Sequence, residues 1–262
     1  MEEGDSQRDL IAPTFLRALK RAIPQRHELR IYLARDMWSS LKRFGSEQIQ
    51  NVELGSIAGV EDAVINGYID DRNRGVVAAL CQALEARTFF EIGTNRGRTA
   101  WTVAHNNPDC EVYTLDLPGR EAIADVELGL NASDRDFFVG EWDRGEAYQG
   151  TPEAARITTL AGDSANFDFS PYAGQMDVVF VDGAHSYEYV ANDTRKALDL
   201  LSPTGTIIWD DYPAIPGVYR YLNETSFDRP LRHIYETRLV VYSRRELVAD
   251  CGRGSRARLF AA

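Results

Sequence analysis

The chain has 262 residues, 44% hydrophobic and 26% charged, an ordinary globular composition that excludes wholesale disorder and allows one sizeable α/β domain with an extension. Its formal net charge of −11 opposes phosphate backbones at long range and argues against a nucleic-acid partner. The acidic start MEEGDSQRDL is unlike a secretory signal, no apolar run approaches the ~20 residues needed to cross a bilayer, and Cys81, Cys110 and Cys251 form no CxxC pair, so a cytoplasmic protein with reduced thiols and no membrane partner is expected.

Residues 1–74 read as a helical extension. Pro13 suits a first helical turn, Phe15, Leu16, Leu19, Ala22 and Ile23 recur on one face, and Leu33, Met37, Trp38, Leu41 and Phe44 form a second stripe. Stripes such as Trp38 and Phe44 need burial, which predicts a homodimer contact or a partial cover for a pocket. Residues 45–73, rich in Gly and Asp, predict loops with a short helix. From Gly75 the pattern changes: Val76, Val77, Leu80, Cys81 and Leu84 mark an amphipathic helix. Apolar runs at 88–92, 111–117, 157–161, 176–181 and 206–209 then alternate with helical stretches, and 232–244 offers two further strands. Such alternation predicts a doubly wound, mostly parallel sheet covered on both faces, over residues 75–262. In the helix after the fourth run, Val190, Thr194, Ala197, Leu198 and Leu201 share a face, whereas Asp193, Arg195, Lys196 and Asp199 are expected to point away. The segment 118–156 is long for a connection and reads as a lid or a solvated insertion, with Trp142 and Tyr148 as candidate apolar walls.

The first run ends in Glu91-Ile-Gly93-Thr-Asn-Arg-Gly97-Arg-Thr99, ahead of a helix over 99–106. Glycines between a strand end and a helix start let the backbone turn sharply and approach a ligand. The spacing is GxxxG rather than GxGxxG, which counts against a dinucleotide. Asp116 closes the second strand, 23 residues after Gly93, where a carboxylate can accept both ribose hydroxyls of a nucleoside. In these stretches the sequence resembles the class I S-adenosylmethionine-dependent methyltransferases: EIGTNRGRT is similar to their first motif and YTLDLP to their second. The resemblance spans about residues 75–245. It implies a seven-stranded Rossmann-like sheet with S-adenosylmethionine against Glu91, Gly93, Thr94, Asn95, Gly97, Asp116 and Asp182, and with Asp163 and Ser164 on the adenine side.

The fourth strand ends in Asp182-Gly-Ala-His185-Ser-Tyr187 and the fifth in Asp210-Asp211-Tyr212. Parallel strands deliver these ends to the cofactor rim, so Asp182, Asp210 and Asp211 should converge, and three carboxylates in one cleft call for a cation. Hard oxygen donors favour Mg²⁺ or another divalent cation over zinc. A second reading makes the same acids helix and loop caps. The stretches DGxHSY and DDY resemble bacterial metal-dependent O-methyltransferases of sugar- and antibiotic-tailoring type and, more distantly, the catechol type, where an amide stands in place of Asp211. By that resemblance Asp182, Asp210 and Asp211 hold the metal, and Asp182 and His185 are catalytic, with His185 either the general base or a loop tether. The activity implied is O-methylation of a small-molecule hydroxyl on a sugar or natural-product scaffold. A tailoring reaction of another type and a non-catalytic cofactor-binding subunit are the competing readings. His27, His105 and His233 receive no role.

Overall fold

A computed structural model of the chain describes residues 46–47, 57–60, 69–132, 134–135, 143–226, 228–234, 237–245, 247–250 and 258–261. The stripes expected at 15–23 and 33–44, with Trp38, and the candidate wall Trp142 lie outside them.

Seven strands follow in chain order: β1 (Thr88–Ile92), β2 (Glu111–Asp116), β3 (Ile157–Ala161), β4 (Met176–Val181), β5 (Leu201–Trp209), β6 (Arg232–Ile234) and β7 (Val240–Ser243). They lie in the order β3-β2-β1-β4-β5-β7-β6. All neighbours are parallel except β7, which runs antiparallel to β5 and β6. The expected seven strands are therefore present, and the two residues Ser46–Glu47, read from sequence as part of a loop, add an eighth at the β6 edge. A separate antiparallel pair joins Leu247–Asp250 to Arg258–Ala261. The chain leaves β1 toward β2 and β3, then returns to the other side of β1 as β4. Loops after β1 and β4 consequently diverge, and the crevice between them is where open α/β sheets take ligands.

Period-two alternation explains why the central strands read as unbroken apolar runs. Phe89, Val178, Phe180, Ile208 and Val241 face one side, where α1 (Ile69–Ala83) and α2 (Arg98–Asn106) cover them. Phe90, Val179, Val181, Ile207 and Val240 face the other, under α3 (Tyr187–Leu200) and α4 (Pro216–Thr225). Each such side chain, fully buried, contributes about 1.5–3 kcal/mol of transfer free energy. Ser186 caps α3 by accepting from the Tyr189 N–H, and Pro216 opens α4, where its missing donor costs nothing. Helix α1 begins at Ile69, ahead of the apolar stripe that signals it. Ile57 and Val60 pack into the same core, with the Ala58 N–H bonded to Asn106 Oδ1 at 2.9 Å.

One expected orientation is reversed. Asp193 points inward and is fully buried, with Oδ1 accepting from Asn192 Nδ2 at 2.9 Å while Oδ2 has no partner among the described residues. Helical spacing placed it on the polar face, but the β3 loop closes over that flank of α3, where the Asn192 amide also reaches the Ser164 carbonyl.

Candidate functional site: a cleft joined to an acid cluster

Gly93 sits at the tip of β1 with φ 106°, and a Cβ there would come within 2.0 Å of the Asp182 carbonyl oxygen. Only glycine lets the ends of β1 and β4 approach this closely, which sets the first loop beside the acid cluster. Gly97 (φ 76°) precedes α2 and rests on Tyr148, whose ring would meet a Cβ at 2.4 Å. Tyr148 is buried beneath the loop and bonds Thr159 at 2.8 Å, so it buttresses the loop rather than walling the cleft. Gly97 likewise shapes the turn from below, while Glu91, Gly93, Thr94 and Asn95 line the opening.

The cleft has a volume of about 620 Å³. On its nucleoside side, Asp116 accepts from the backbone N–H groups of Asn95 (2.7 Å) and Leu117 (2.8 Å). Burial raises its pKa, and these N–H groups and Arg144 pull it back. The carboxylate is thereby fixed in place. Asp163 is anchored through Oδ1 to the Ala165 N–H (2.9 Å) and the Tyr189 hydroxyl (3.0 Å), and through Oδ2 to the Glu127 N–H (2.9 Å). Ser164 lies beside it in the cleft wall. Beneath them Glu91 is buried and accepts from the Thr114 hydroxyl; desolvation pushes it up to about 8, against that hydrogen bond and with the Asp116 charge adding to the rise.

At the other end, Asp182, His185 and Asp211 offer donor atoms within 4.8 Å of one another. Asp211 takes a left-handed backbone conformation (φ 65°), an uncommon one for a residue with a side chain and typical of functional sites. His185 Nε2 lies 2.7 Å from Asp211 Oδ2, and Nδ1 lies 2.6 Å from Asp134 Oδ1. Burial works against its protonated form, but the hydrogen bonds and charges of Asp134 and Asp211 override it and push its pKa up to about 11. Desolvation and the neighbouring charges of Asp210 and Asp211 raise Asp182 well above the ordinary carboxylate range. Asp210 stands just outside the set of three: its Oδ1 accepts from Asn73 Nδ2 at 2.7 Å and from the Asp211 N–H at 2.6 Å. Desolvation and Asp211 raise it to about 6, against the pull of Arg238.

Every site residue named from the sequence except Gly97 borders this one cleft. Sequence reasoning missed Asn73, Asp134, Tyr189 and Arg238. Arg238 is the most consequential: its Nε lies 3.3 Å from Asp211 and 3.5 Å from Asp210, and its Nη2 is 2.5 Å from Asp70. The antiparallel β7 brings it back from 27 residues beyond Asp211, and no local motif marks it. Asp134 had a weak signal, as an acid inside the long connection read as a lid or a solvated insertion.

The switch-point crevice, the anchored Asp116 and the glycine turn lie together on one rim of a doubly wound, Rossmann-like sheet. Residues 90–212 match a family model described as a methyltransferase domain. A comparison with curated proteins gives no match. Among solved structures, the O-methyltransferase TomG from Streptomyces achromogenes, involved in tomaymycin synthesis and solved with S-adenosylmethionine, is 16% identical with a TM-score of 0.45, over 79% of this chain and 92% of its own. Cofactor-bound Rv0187 from MTB is 18% identical with a TM-score of 0.46, over 73% of this chain and 88% of its own. CcbJ methyltransferase from Streptomyces caelestis is 20% identical with a TM-score of 0.35, over 51% and 50%. Likeness at that level carries no argument about substrate. Among the described residues no helix is long and apolar enough to cross a membrane.

Proposed function

We propose that the protein transfers the methyl group of S-adenosylmethionine to a hydroxyl oxygen of a small molecule, a sugar or natural-product scaffold, with a divalent cation at the acid cluster. The observation that carries this reading is that the nucleoside side and the acid–histidine group share one cleft. Methyl transfer from a sulfonium is an in-line displacement, so alignment and a deprotonated acceptor are the main demands on the protein.

The acid cluster fits a cation by its own chemistry. Asp182 is held above the ordinary carboxylate range by burial and by its acidic neighbours, a repulsion that a bound cation relieves. Asp182 and Asp211 would supply oxygen donors, with Asp210 beside them, and oxygen donors of this kind suit Mg²⁺ or Mn²⁺. When bound, such an ion supplies Lewis acidity to the acceptor oxygen. His185 faces the same space through Nε2. It can take a proton there only when Asp211 no longer holds that position, so the base role requires Asp211 to be drawn away.

Calorimetry with S-adenosylhomocysteine, followed by transfer of labelled methyl to a panel of sugars, phenols and hydroxylated scaffolds, tests the reading. Binding is expected, with transfer to one acceptor class that a chelator abolishes and Mg²⁺ or Mn²⁺ restores. Transfer that survives chelation removes the metal. Binding without transfer under any metal condition favours the non-catalytic subunit.

A further inference from the structure

We propose that Asp134 is a positioning residue for His185, delivered to the acid cluster by the connection that follows β2. The inference rests on the reading of His185 as the base. Asp134 grips one residue with both carboxylate oxygens: Oδ1 lies 2.6 Å from His185 Nδ1, and Oδ2 accepts the His185 backbone N–H at 2.9 Å. Its side chain is 3% exposed, and its own N–H is bonded to Asn131 Oδ1 at 2.8 Å. A carboxylate held this way cannot swing aside, and the ring it grips cannot rotate without breaking a charge-assisted hydrogen bond. Nδ1–H therefore stays on Asp134, and Nε2 is the nitrogen turned to the cleft, where its N–H now meets Asp211.

The chemistry needs such a partner. In the transfer step His185 Nε2 gains the hydroxyl proton as the acceptor oxygen bonds to the methyl carbon. The carbon–sulfur bond breaks and the sulfur leaves neutral. The positive charge that began on sulfur ends on the imidazole, and a buried carboxylate behind Nδ1 stabilises the imidazolium and fixes the tautomer. Without it, the ring could present the wrong nitrogen. Asp134 also arrives on a segment that lines the nucleoside cleft through Val126 and Leu130 and is pinned to Asp163 by the Glu127 N–H.

Two measurements on the full chain test this. In Asp134→Asn, turnover of the acceptor selected by the methyl-transfer screen should fall roughly 100-fold, the loss typical of an orienting partner, with S-adenosylhomocysteine affinity within twofold of the parent and partial recovery in Asp134→Glu. Nitrogen-15 NMR of His185 in the S-adenosylhomocysteine complex should show a strongly hydrogen-bonded, downfield Nδ1–H proton that Asp134→Asn removes. Unchanged turnover in Asp134→Asn overturns the proposal, as does an equal loss of turnover and S-adenosylhomocysteine affinity, which would make Asp134 a clasp only. Absence of the Nδ1–H signal in the parent overturns it even where the variant fails to fold. Failure of the underlying reading is distinguishable: it shows as full turnover in His185→Gln, or as no transfer by the parent.

Discussion

The two ends of the cleft satisfy their carboxylates in different ways. At the nucleoside end, Asp116 and Asp163 are held mainly by backbone N–H groups: Asn95 and Leu117 for the first, Glu127 and Ala165 for the second, with only the Tyr189 hydroxyl added from a side chain. At the acid end, Asp210 and Asp211 are held largely by side chains from far along the chain: Asn73, His185 and Arg238. Backbone donors carry only partial charge and fix an acid without neutralising it, so the first end keeps two anchored carboxylates, which the proposed function assigns to hydroxyls. Charged side chains neutralise, and they can be exchanged for another cation or for substrate. On the proposed function, binding belongs to one end and chemistry to the other.

That division is sharpest in a pair of variants. Asp211→Asn should lower methyl transfer about 1,000-fold while S-adenosylhomocysteine affinity stays within twofold, because it removes a donor and the partner of His185 Nε2. Asp116→Ala should do the reverse, weakening S-adenosylhomocysteine binding roughly 100-fold with little change in turnover at saturating cofactor, about 3 kcal/mol for two hydrogen bonds to a charged acceptor. Equal effects of both variants on affinity would break the comparison.

A smaller effect probes how the acid end is neutralised. Arg238→Met leaves Asp70, Asp210 and Asp211 without their guanidinium. It should cost about 3 kcal/mol, by analogy with the removal of one partner from a buried ion pair. The loss should be larger at pH 8 than at pH 5, since Asp210, raised to about 6, is ionised at the first and mostly protonated at the second. Thermal unfolding at the two pH values checks the sign. Mg²⁺ should restore part of the lost melting temperature if a divalent ion can stand in for the guanidinium; no recovery would separate the two cations.

The same contrast explains what the sequence made legible. Strand order and the glycine turn are local or periodic features, so the apolar runs, Gly93 and Asp116 could be read directly. Asp182, Asp210 and Asp211 were legible because parallel strands must end on one rim. Asp134, Asn73 and Arg238 were not, since each joins the cluster across 27 to 137 residues by a tertiary contact with no spacing rule behind it. Asp193 was misplaced because helical periodicity separates faces but does not reveal which polar flank a neighbouring loop will cover. Tyr148, expected as a wall, became a buttress because Gly97 leaves a hollow beneath the turn that the ring fills.

A last variant tests the floor of the Asp116 end. Glu91 has an ordinary pKa of 4.5 and is pushed up to about 8 in the fold, chiefly by burial, so between those values the folded chain keeps a proton that the unfolded chain releases. Stability from this group is full below about pH 4.5 and is lost as pH rises through 8. Asp193, raised to about 7, and Asp210, raised to about 6, act in the same direction and have largely finished titrating by pH 8. A glutamine at position 91 keeps the shape and stays neutral throughout. Glu91→Gln should therefore lie near the parent at pH 5 and exceed its melting temperature by a growing margin as pH rises to 9. A parallel pair of melting curves from pH 7 to 9 would show instead that Glu91 shares its burden with the Thr114 hydroxyl well enough to ionise in place, and the nucleoside end would then carry more charge than its backbone donors imply.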